Sequence, residues 1–240
     1  MAGEGGTAPP ITALLFDLDG TLYPIENGYE AHVRRRVLAW MVERLGCASE
    51  EAAQALWARE FPKYNQTLRA LRAAPELPAF DAAEYWSFIR AGTGDFLARD
   101  EALRATLASL PQRKWVLTNA AEAQAREALR ALGVEDCFEG VLGADLMGDR
   151  CKPEREAFDA ALRAAGIEDP SRCAMFEDSH KNLVTAKTHF GMTTVMVRSK
   201  TAAEEGLEVA EGAVPPCVDA LVSAPPREEE LRRALPGLWG

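Results

Sequence analysis

The chain lacks the segments that mark secreted and membrane proteins. No apolar run in its 240 residues reaches the length of about 20 residues that spans a bilayer, so we expect no membrane partner. Residues 1–10 carry neither the basic and apolar regions of a secretory signal nor the arginine-rich pattern of a transit peptide. The 5 cysteines are scattered without metal-like pairing, and their odd number favours free thiols. These features predict a reducing, cytoplasmic location.

Positive charge is also in short supply. The chain has 27 Lys and Arg against 37 Asp and Glu, which gives a formal net charge of −10. This balance argues against a nucleic-acid polymer as the partner, because proteins that bind one usually carry a surplus of basic residues. It still permits a small phosphorylated metabolite, provided that a metal ion and a few local cations offset the charge. We expect a monomer or a homodimer.

Short runs that are apolar on both faces recur along the chain. This pattern is typical of a parallel sheet covered by helices on both sides. Helical periodicity predicts helices over 120–132, 154–165 and 180–190, with a short final helix over 228–235. The sequence therefore predicts an α/β fold with a doubly wound, Rossmann-like parallel sheet. About five strands are expected, at residues 11–16, 115–117, 141–143, 173–176 and 194–197.

The segment between residues 24 and 99 follows a different pattern. Its apolar residues recur at helical spacing from Tyr29 onward, and no strand pattern competes with them. Ser49 is placed to cap one helix, and Asp81 with Glu84 resembles a capping box before another. We predict an all-helical insert at 24–99 within an α/β core made of residues 10–23 and 100–240.

Asp17-Leu18-Asp19-Gly20-Thr21 is the most informative stretch of the chain. A buried strand that ends in two carboxylates is costly unless a cation or a reaction uses them, although an ordinary Asp-rich turn would also fit. More polar groups follow the later predicted strands, and ligands of open α/β sheets bind at that edge. These groups are Thr118 with Asn119, Lys152, and Glu177 with Asp178.

The chemical types of these residues fit one site. Asp17 and Asp178 are hard oxygen ligands suited to Mg²⁺. The charges of Mg²⁺ and Lys152 nearly balance two acids and a phosphate dianion, whereas the site without the metal would repel the phosphate. Each residue alone also has a simpler explanation. Lys152 could be a solvated lysine, and the polar pairs could be helix caps.

These four groups of residues, and their order along the chain, resemble the motifs of the haloacid dehalogenase superfamily of aspartate-nucleophile phosphatases. The resemblance runs from residue 15 to about residue 198. It implies that Asp17 attacks phosphorus to form an aspartyl-phosphate. It also implies that Asp19 protonates the leaving oxygen and then deprotonates the hydrolytic water. A Mg²⁺ ion would be held by Asp17, the backbone carbonyl of Asp19, and Asp178.

The same resemblance assigns supporting roles. Thr118, Asn119 and Lys152 would position the phosphoryl group and offset its charge during in-line transfer. Glu177 and Ser179 would fix metal-bound waters. The insert matches the position of a helical cap, which closes over small substrates and contacts their non-phosphate part.

The acid at position 19 separates reaction classes within the superfamily. Members that break carbon–halogen bonds do not use an acid there, whereas the alkoxide leaving a phosphate ester must be protonated. Asp19 therefore favours a phosphatase or a phosphomutase. A nucleotide-binding module that has lost turnover is the alternative from another class, and such a module would have no need of Asp19.

Finer detail resembles the pyrimidine 5′-nucleotidase branch. The matching pieces are Leu22-Tyr23-Pro24, Thr67-Leu68-Arg69-Ala70-Leu71 and the stretch 132–139. The chain departs from that branch at Asn65 and Gln66, where Tyr-Gly is usual, and at Glu177, where an aspartate is common. A nucleoside 5′-monophosphate such as UMP is therefore the expected substrate. Xanthosine monophosphate, a sugar phosphate and phosphoglycolate remain alternatives.

The cap supplies the candidate contacts to the rest of the substrate. An aromatic ring such as Tyr64 could stack on a base, and an amide or guanidinium could bond its edge, although a purely structural role for Tyr64 competes with this. The predicted substrate-binding residues are Tyr64, Asn65, Thr67 and Arg69.

Overall fold

A computed structural model describes residues 10–199, 201–204, 206–207 and 213–239. Short parallel strands form its sheet, and their order is β3-β2-β1-β4-β5-β6 with the bounds given next. The strands are β1 (Ala13–Phe16), β2 (Arg113–Leu117), β3 (Gly140–Leu142), β4 (Cys173–Glu177), β5 (Thr193–Arg198) and β6 (Ala220–Ser223). Within the described residues the sheet thus has six strands, one more than the sequence pattern indicates.

The central strand β1 shows why the strands look continuously apolar. All four of its residues are buried, and it pairs in parallel with β2 on one side and β4 on the other. Leu14 and Phe16 pack into the core on one face of the sheet, while Ala13 and Leu15 pack into the core on the other. Phe16 stacks on Phe176 with ring centroids 4.4 Å apart. The predicted doubly wound parallel sheet is confirmed.

Helices cover both faces of the sheet and form the inserted segment. They are α1 (Tyr29–Glu43), α2 (Glu50–Tyr64), α3 (Thr67–Ala73), α4 (Ala82–Ile89), α5 (Glu101–Ser109), α6 (Glu122–Leu132), α7 (Ala144–Met147), α8 (Arg155–Ala164), α9 (His180–Phe190), α10 (Thr201–Glu204) and α11 (Glu228–Ala234). None of the described helices combines the length and apolar character needed to cross a membrane.

Helices α1 to α4 form a layer with a hydrophobic core of its own. Trp40, Met41 and Tyr85 are among its buried side chains, and Ala120 beyond β2 belongs to the same cluster. As the sequence predicts, the hydroxyl of Ser49 accepts the N–H of Ala52 at the start of α2, and the carboxylate of Asp81 caps α4. The exact boundaries of the core at 10–23 and 100–240 and of the cap at 24–99 stay a prediction.

Candidate active site

The acids predicted to act together lie at the carboxyl edge of the sheet. Asp17 follows β1 directly, Glu177 ends β4, and Asp178 comes next. Because β1 and β4 are parallel neighbours in register, both strands end at the same height. One carboxylate oxygen from each of the three acids lies within 4.8 Å of the others. The topology therefore gathers residues that are far apart in sequence into one buried cluster.

Lys152 supplies the positive charge within this cluster. Its ammonium donates to Oδ1 of Asp17 at 2.6 Å, to Oε2 of Glu177 at 2.7 Å and to the carbonyl of Leu117 at 2.8 Å. The side chain is only 2% exposed. Burial alone lowers the pKa of a lysine, but the charges of Asp17 and Glu177 outweigh it and raise the pKa of Lys152. Lys152 therefore stays charged at neutral pH.

Asn119 holds the backbone of Lys152 in place. The N–H of Lys152 donates to Oδ1 of Asn119 at 2.8 Å, and the Asn119 amide donates back to the Lys152 carbonyl at 3.0 Å. Thr118 is buried beside it, and its hydroxyl accepts the N–H of Ala120 at 3.1 Å. Both predicted phosphate-binding residues after β2 thus lie on the cleft and also brace the loops around it.

The acids outnumber the cation, and their pKa values reflect this excess. Burial raises the pKa of Asp17 to about 7, the charge of Glu177 adds to the effect, and Lys152 opposes it. Burial likewise raises the pKa values of Glu177 and Asp178 to about 7. Clustered carboxylates that burial penalises are stabilised when a cation binds among them.

The donor set fits Mg²⁺. Carboxylate oxygens from Asp17 and Asp178 face one another closely enough to share an ion, and hard oxygen ligands are those that Mg²⁺ prefers. Gly20 allows the loop to approach Asp178, since a Cβ at position 20 would lie 2.3 Å from its Oδ2. The hydroxyls of Ser199 and Thr201 donate to that same oxygen and hold the carboxylate in position.

Glu177 braces the loop that follows β4. Its Oε1 accepts the backbone N–H groups of Asp178 and Ser179, each at 3.2 Å. Its Oε2 accepts from Lys152 and, at 3.0 Å, from the side-chain amide of Asn182. Glu177 thereby links the cation, the loop and the first turn of α9. Its predicted contact with metal-bound water stays a prediction, as does that of Ser179.

The carboxylate of Asp19 contacts the inserted helical segment. Nη1 of Arg90, just after α4, donates to Oδ1 of Asp19 at 2.9 Å, and Nη2 donates to Oδ2. The hydroxyl of Tyr23 also donates to Asp19. Although burial acts to raise the pKa of Asp19, the charge and hydrogen bonds of Arg90 outweigh it, so the pKa is lowered. Asp19 is therefore ionised in this arrangement.

Arg90 is a site residue that the sequence analysis missed. It lies in no recognised motif, and its partner is 71 positions away along the chain. The only available signal was a single basic residue at the end of an apolar helical stretch, Trp86 to Ile89, just before Gly92.

A cleft of about 920 Å³ opens from the acid cluster toward the cap, and a cavity of about 240 Å³ adjoins it beneath α1, α2 and α4. Asn65 borders both spaces, and its Oδ1 accepts from Lys181 at 3.0 Å. Thr67 borders the smaller cavity, and its hydroxyl accepts from the indole of Trp57 at 3.2 Å. Two of the four predicted cap contacts therefore border the cleft or the cavity beside it, and their role in substrate binding stays a prediction.

The other two cap residues lie elsewhere. Tyr64 and Arg69 line a separate groove of about 500 Å³. The guanidinium of Arg69 donates to Oε1 of Glu154 at 3.0 Å and to the sulfur of Cys151 at 2.9 Å. This ion pair joins the cap to the loop that carries Lys152. The structure therefore does not bring Tyr64 or Arg69 to the catalytic cleft.

Curated proteins share recognisable sequence with the chain. Phosphate metabolism protein 8 of Saccharomyces cerevisiae is 24% identical over 194 residues, which cover 74% of this chain and 59% of that protein. The chain thus spans less than two thirds of the length of that relative.

Solved structures share the architecture. CbbY from Rhodobacter sphaeroides, determined in complex with phosphate, matches with a TM-score of 0.63 and 21% identity over 95% of this chain and 99% of its own. The L-2-haloacid dehalogenase of Xanthobacter autotrophicus matches with a TM-score of 0.56 and 18% identity, again over 95% and 99% of the two chains. At such identities the likeness establishes the fold alone.

The family is established by a match to a family model. The family model of haloacid dehalogenase-like hydrolases matches residues 11–189, a span that contains the Asp17, Thr118, Lys152 and Asp178 motifs. The match covers well over half of the chain. The protein therefore belongs to the haloacid dehalogenase-like hydrolases.

Proposed function

We propose that this protein is a Mg²⁺-dependent phosphatase that hydrolyses a nucleoside 5′-monophosphate through an aspartyl-phosphate at Asp17. One observation carries the proposal: two carboxylates at the end of a single strand have separate surroundings. Asp17 contacts Lys152 in the acid cluster, whereas Asp19 contacts Arg90 and Tyr23 on the cap side. Separate surroundings suit separate roles, one acid as nucleophile and the other as proton donor and acceptor.

Asp17, Asp178 and the backbone carbonyl of Asp19 would hold the Mg²⁺ ion. When bound, the ion supplies positive charge against the phosphoryl oxygens and the clustered acids. Lys152 supplies a second positive charge beside Asp17, and its contact with Glu177 keeps the ammonium aimed at the nucleophile. The hydroxyl of Thr118 and the loop held by Asn119 complete the cradle for the phosphoryl group.

The proposed reaction has two steps. In the first, an oxygen of Asp17 attacks phosphorus, the bond from phosphorus to the ester oxygen breaks, and Asp19 gives that oxygen its proton. In the second, Asp19 takes a proton from water, the water oxygen attacks phosphorus, and the bond to Asp17 breaks to release inorganic phosphate. Since Arg90 favours the ionised form of Asp19, protonation of Asp19 requires this ion pair to loosen.

The neighbouring cavity supports a leaving group with a flat ring. Trp57 and Phe61 stack at 4.7 Å between centroids along its wall, and Tyr85 and Trp86 border it as well. Aromatic faces of this kind favour a nucleobase over the small polar leaving groups of sugar phosphates or phosphoglycolate. Membership of the pyrimidine 5′-nucleotidase branch, with UMP as substrate, is part of the proposal.

A panel of phosphate esters tests this function. Phosphate release from UMP, CMP, XMP, glucose 6-phosphate and phosphoglycolate is measured with Mg²⁺ and after treatment with EDTA. We expect the highest kcat/KM for a nucleotide, with activity lost in EDTA and reduced by roughly 10⁴-fold or more in Asp17→Asn. The matched control, Asp159→Asn, changes an acid on the exposed side of α8, where it pairs with Arg155.

Two outcomes would contradict the proposal. Turnover retained in Asp17→Asn would exclude Asp17 as the nucleophile. No turnover of any ester, combined with tight nucleotide binding, would favour a non-catalytic module. A preference for XMP would keep the mechanism and change only the base.

A further inference from the structure

The cavity beneath the cap begins where the leaving group of the substrate would stand. Asp19 borders both this cavity and the larger cleft that contains Asp17 and Lys152. In the proposed mechanism Asp19 protonates the leaving oxygen, so the atoms attached to that oxygen extend from Asp19 into the adjoining space. A volume of about 240 Å³ makes this space a compact subsite beside the cleft.

Two aromatic side chains contribute an apolar part of the cavity wall. The rings of Trp57 and Phe61 stack on one another with an interplanar angle of 20°, and both side chains are only partly buried. The indole N–H of Trp57 already donates to Thr67, and the guanidinium of Arg34 lies over the Trp57 ring, 5.5 Å from its centroid. A ligand can therefore contact the apolar surface of these two rings that the stack and Arg34 leave open.

The cavity is also bordered by two side chains with buried polar atoms whose hydrogen bonds are unmet. Among the described residues, neither the hydroxyl of Tyr85 nor Nε of Arg90 has a partner. Tyr85 is completely buried and Arg90 is 7% exposed, and both border the cavity. Leaving such groups without partners is costly, so a ligand oxygen that accepts from them would be favoured.

A second buried tyrosine at the cavity, Tyr29, differs from Tyr85 because its hydroxyl has partners in the protein. It also borders the cavity and is completely buried. Its hydroxyl, however, lies 2.9 Å from the hydroxyl of Thr93 and donates to the carbonyl of Arg90 at 3.3 Å. One tyrosine is thus satisfied by the protein, while the other, Tyr85, has a hydroxyl with no protein partner in the described part of the chain.

We propose that Tyr85 and Arg90 form the polar end of a leaving-group subsite. In it, the Tyr85 hydroxyl and Nε of Arg90 donate to an oxygen of a ring-bearing leaving group whose ring packs against the stacked pair of Trp57 and Phe61. This inference rests on the proposed function, since that function identifies the leaving group. Two other nitrogens of the same guanidinium contact Asp19, so Arg90 joins recognition of the leaving group to the acid beside it.

Binding of uridine, the leaving group of UMP, tests the subsite apart from catalysis. Titration calorimetry is performed on the full chain with Mg²⁺ and inorganic phosphate present. Tyr85→Phe is expected to raise the Kd for uridine about tenfold, the effect of losing one hydrogen bond. Tyr29→Phe is the matched control, and its Kd is expected to equal that of the wild type. The Tm of Tyr85→Phe should equal or exceed that of the wild type, because its hydroxyl has no partner to lose.

The outcomes separate this inference from the proposed function. An unchanged Kd in Tyr85→Phe, an equal rise in both variants, or no uridine binding by the wild type would overturn the subsite. If uridine binds with the expected pattern while no ester is hydrolysed, the subsite is supported and the phosphatase assignment fails.

Discussion

Nζ of Lys152 lies 2.6 Å from Oδ1 of Asp17, and the two side chains are 2% and 9% exposed. Glu177 contacts the same ammonium, and one carboxylate oxygen of Asp178 lies within 4.8 Å of those of Asp17 and Glu177. The pair is therefore part of a cluster with surplus negative charge. That surplus explains both the need for a further cation and the energetic cost of the site in its absence.

Mg²⁺ should stabilise the fold through this cluster. Binding to the native state alone adds about 2.7 kcal/mol to the free energy of unfolding at a metal concentration one hundred times the Kd. For a chain of this size that corresponds to a rise in Tm of roughly 5–10 °C. The rise, measured by differential scanning calorimetry, should vanish with EDTA and in Asp178→Asn. An equal rise in that variant would locate the ion elsewhere.

Gly20 should be required for the geometry of the metal site. Its φ is +81°, and an added Cβ would lie 2.3 Å from Oδ2 of Asp178. Gly46 has a similar φ of +76° and no atom within 4 Å of an added Cβ, so Gly46→Ala reports the backbone cost alone, about 1–2 kcal/mol. Gly20→Ala should cost more in urea unfolding and abolish the Mg²⁺-dependent rise in Tm. Equal costs and a preserved rise would contradict the close approach.

The ion pair between Arg90 and Asp19 should behave as a buried pair. Removing one partner leaves an uncompensated buried charge, so Arg90→Gln should lower the free energy of unfolding by about 3 kcal/mol. Adding Asp19→Asn removes the remaining charge and should recover part of that loss. Urea denaturation of the two single variants and the double variant measures the coupling. Strictly additive losses would show that the pair contributes nothing as a pair.

Asp100 should make the free energy of unfolding depend on pH. It caps α5 and receives two hydrogen bonds of 2.9 Å from Arg227. The bonds from Arg227 lower the pKa of Asp100, so its charge stabilises the fold above the unfolded pKa, and this contribution disappears as the pH falls through the folded pKa. Since both side chains are partly exposed, the loss in Asp100→Asn at pH 7 should be about 1 kcal/mol or less.

Urea denaturation at several pH values measures this dependence. The amide keeps an acceptor for the N–H of Leu103, so the difference between wild type and Asp100→Asn should shrink as the pH falls below about 4. A difference that stays constant from pH 7 to pH 4 would show that the loss comes from the N-cap hydrogen bond of α5 and not from the charge of Asp100.

The sequence alone predicted the sheet and the acid cluster because both are encoded locally. Strands buried on both faces produce continuous apolar runs, and the polar residues that follow them lie at one edge whenever the strands are parallel. Asp17, Glu177 and Asp178 could therefore be brought together without coordinates. β6 was missed because it lies in a tail interrupted by prolines and only two of its residues, Ala220 and Val222, are buried.

The cap was predicted less completely because its contacts are made between distant residues. Arg90 reaches Asp19 across 71 positions, and Arg69 reaches Glu154 across 85. No local pattern distinguishes an arginine that enters the cleft from one that joins the cap to the core. The placement of α3 and α4 in the folded cap decides this, and both helices pack into the core of the cap.

A phosphoryl group on Asp17 is the most direct test of the account. During steady-state turnover of UMP with Mg²⁺, the reaction is quenched with acid, and the peptides are mapped by mass spectrometry. The account predicts one phosphoryl group on the peptide that contains Asp17, removable by hydroxylamine as an acyl phosphate and absent from Asp17→Asn. Phosphate release with no phosphoryl group on Asp17, or with one on a different residue, would contradict it.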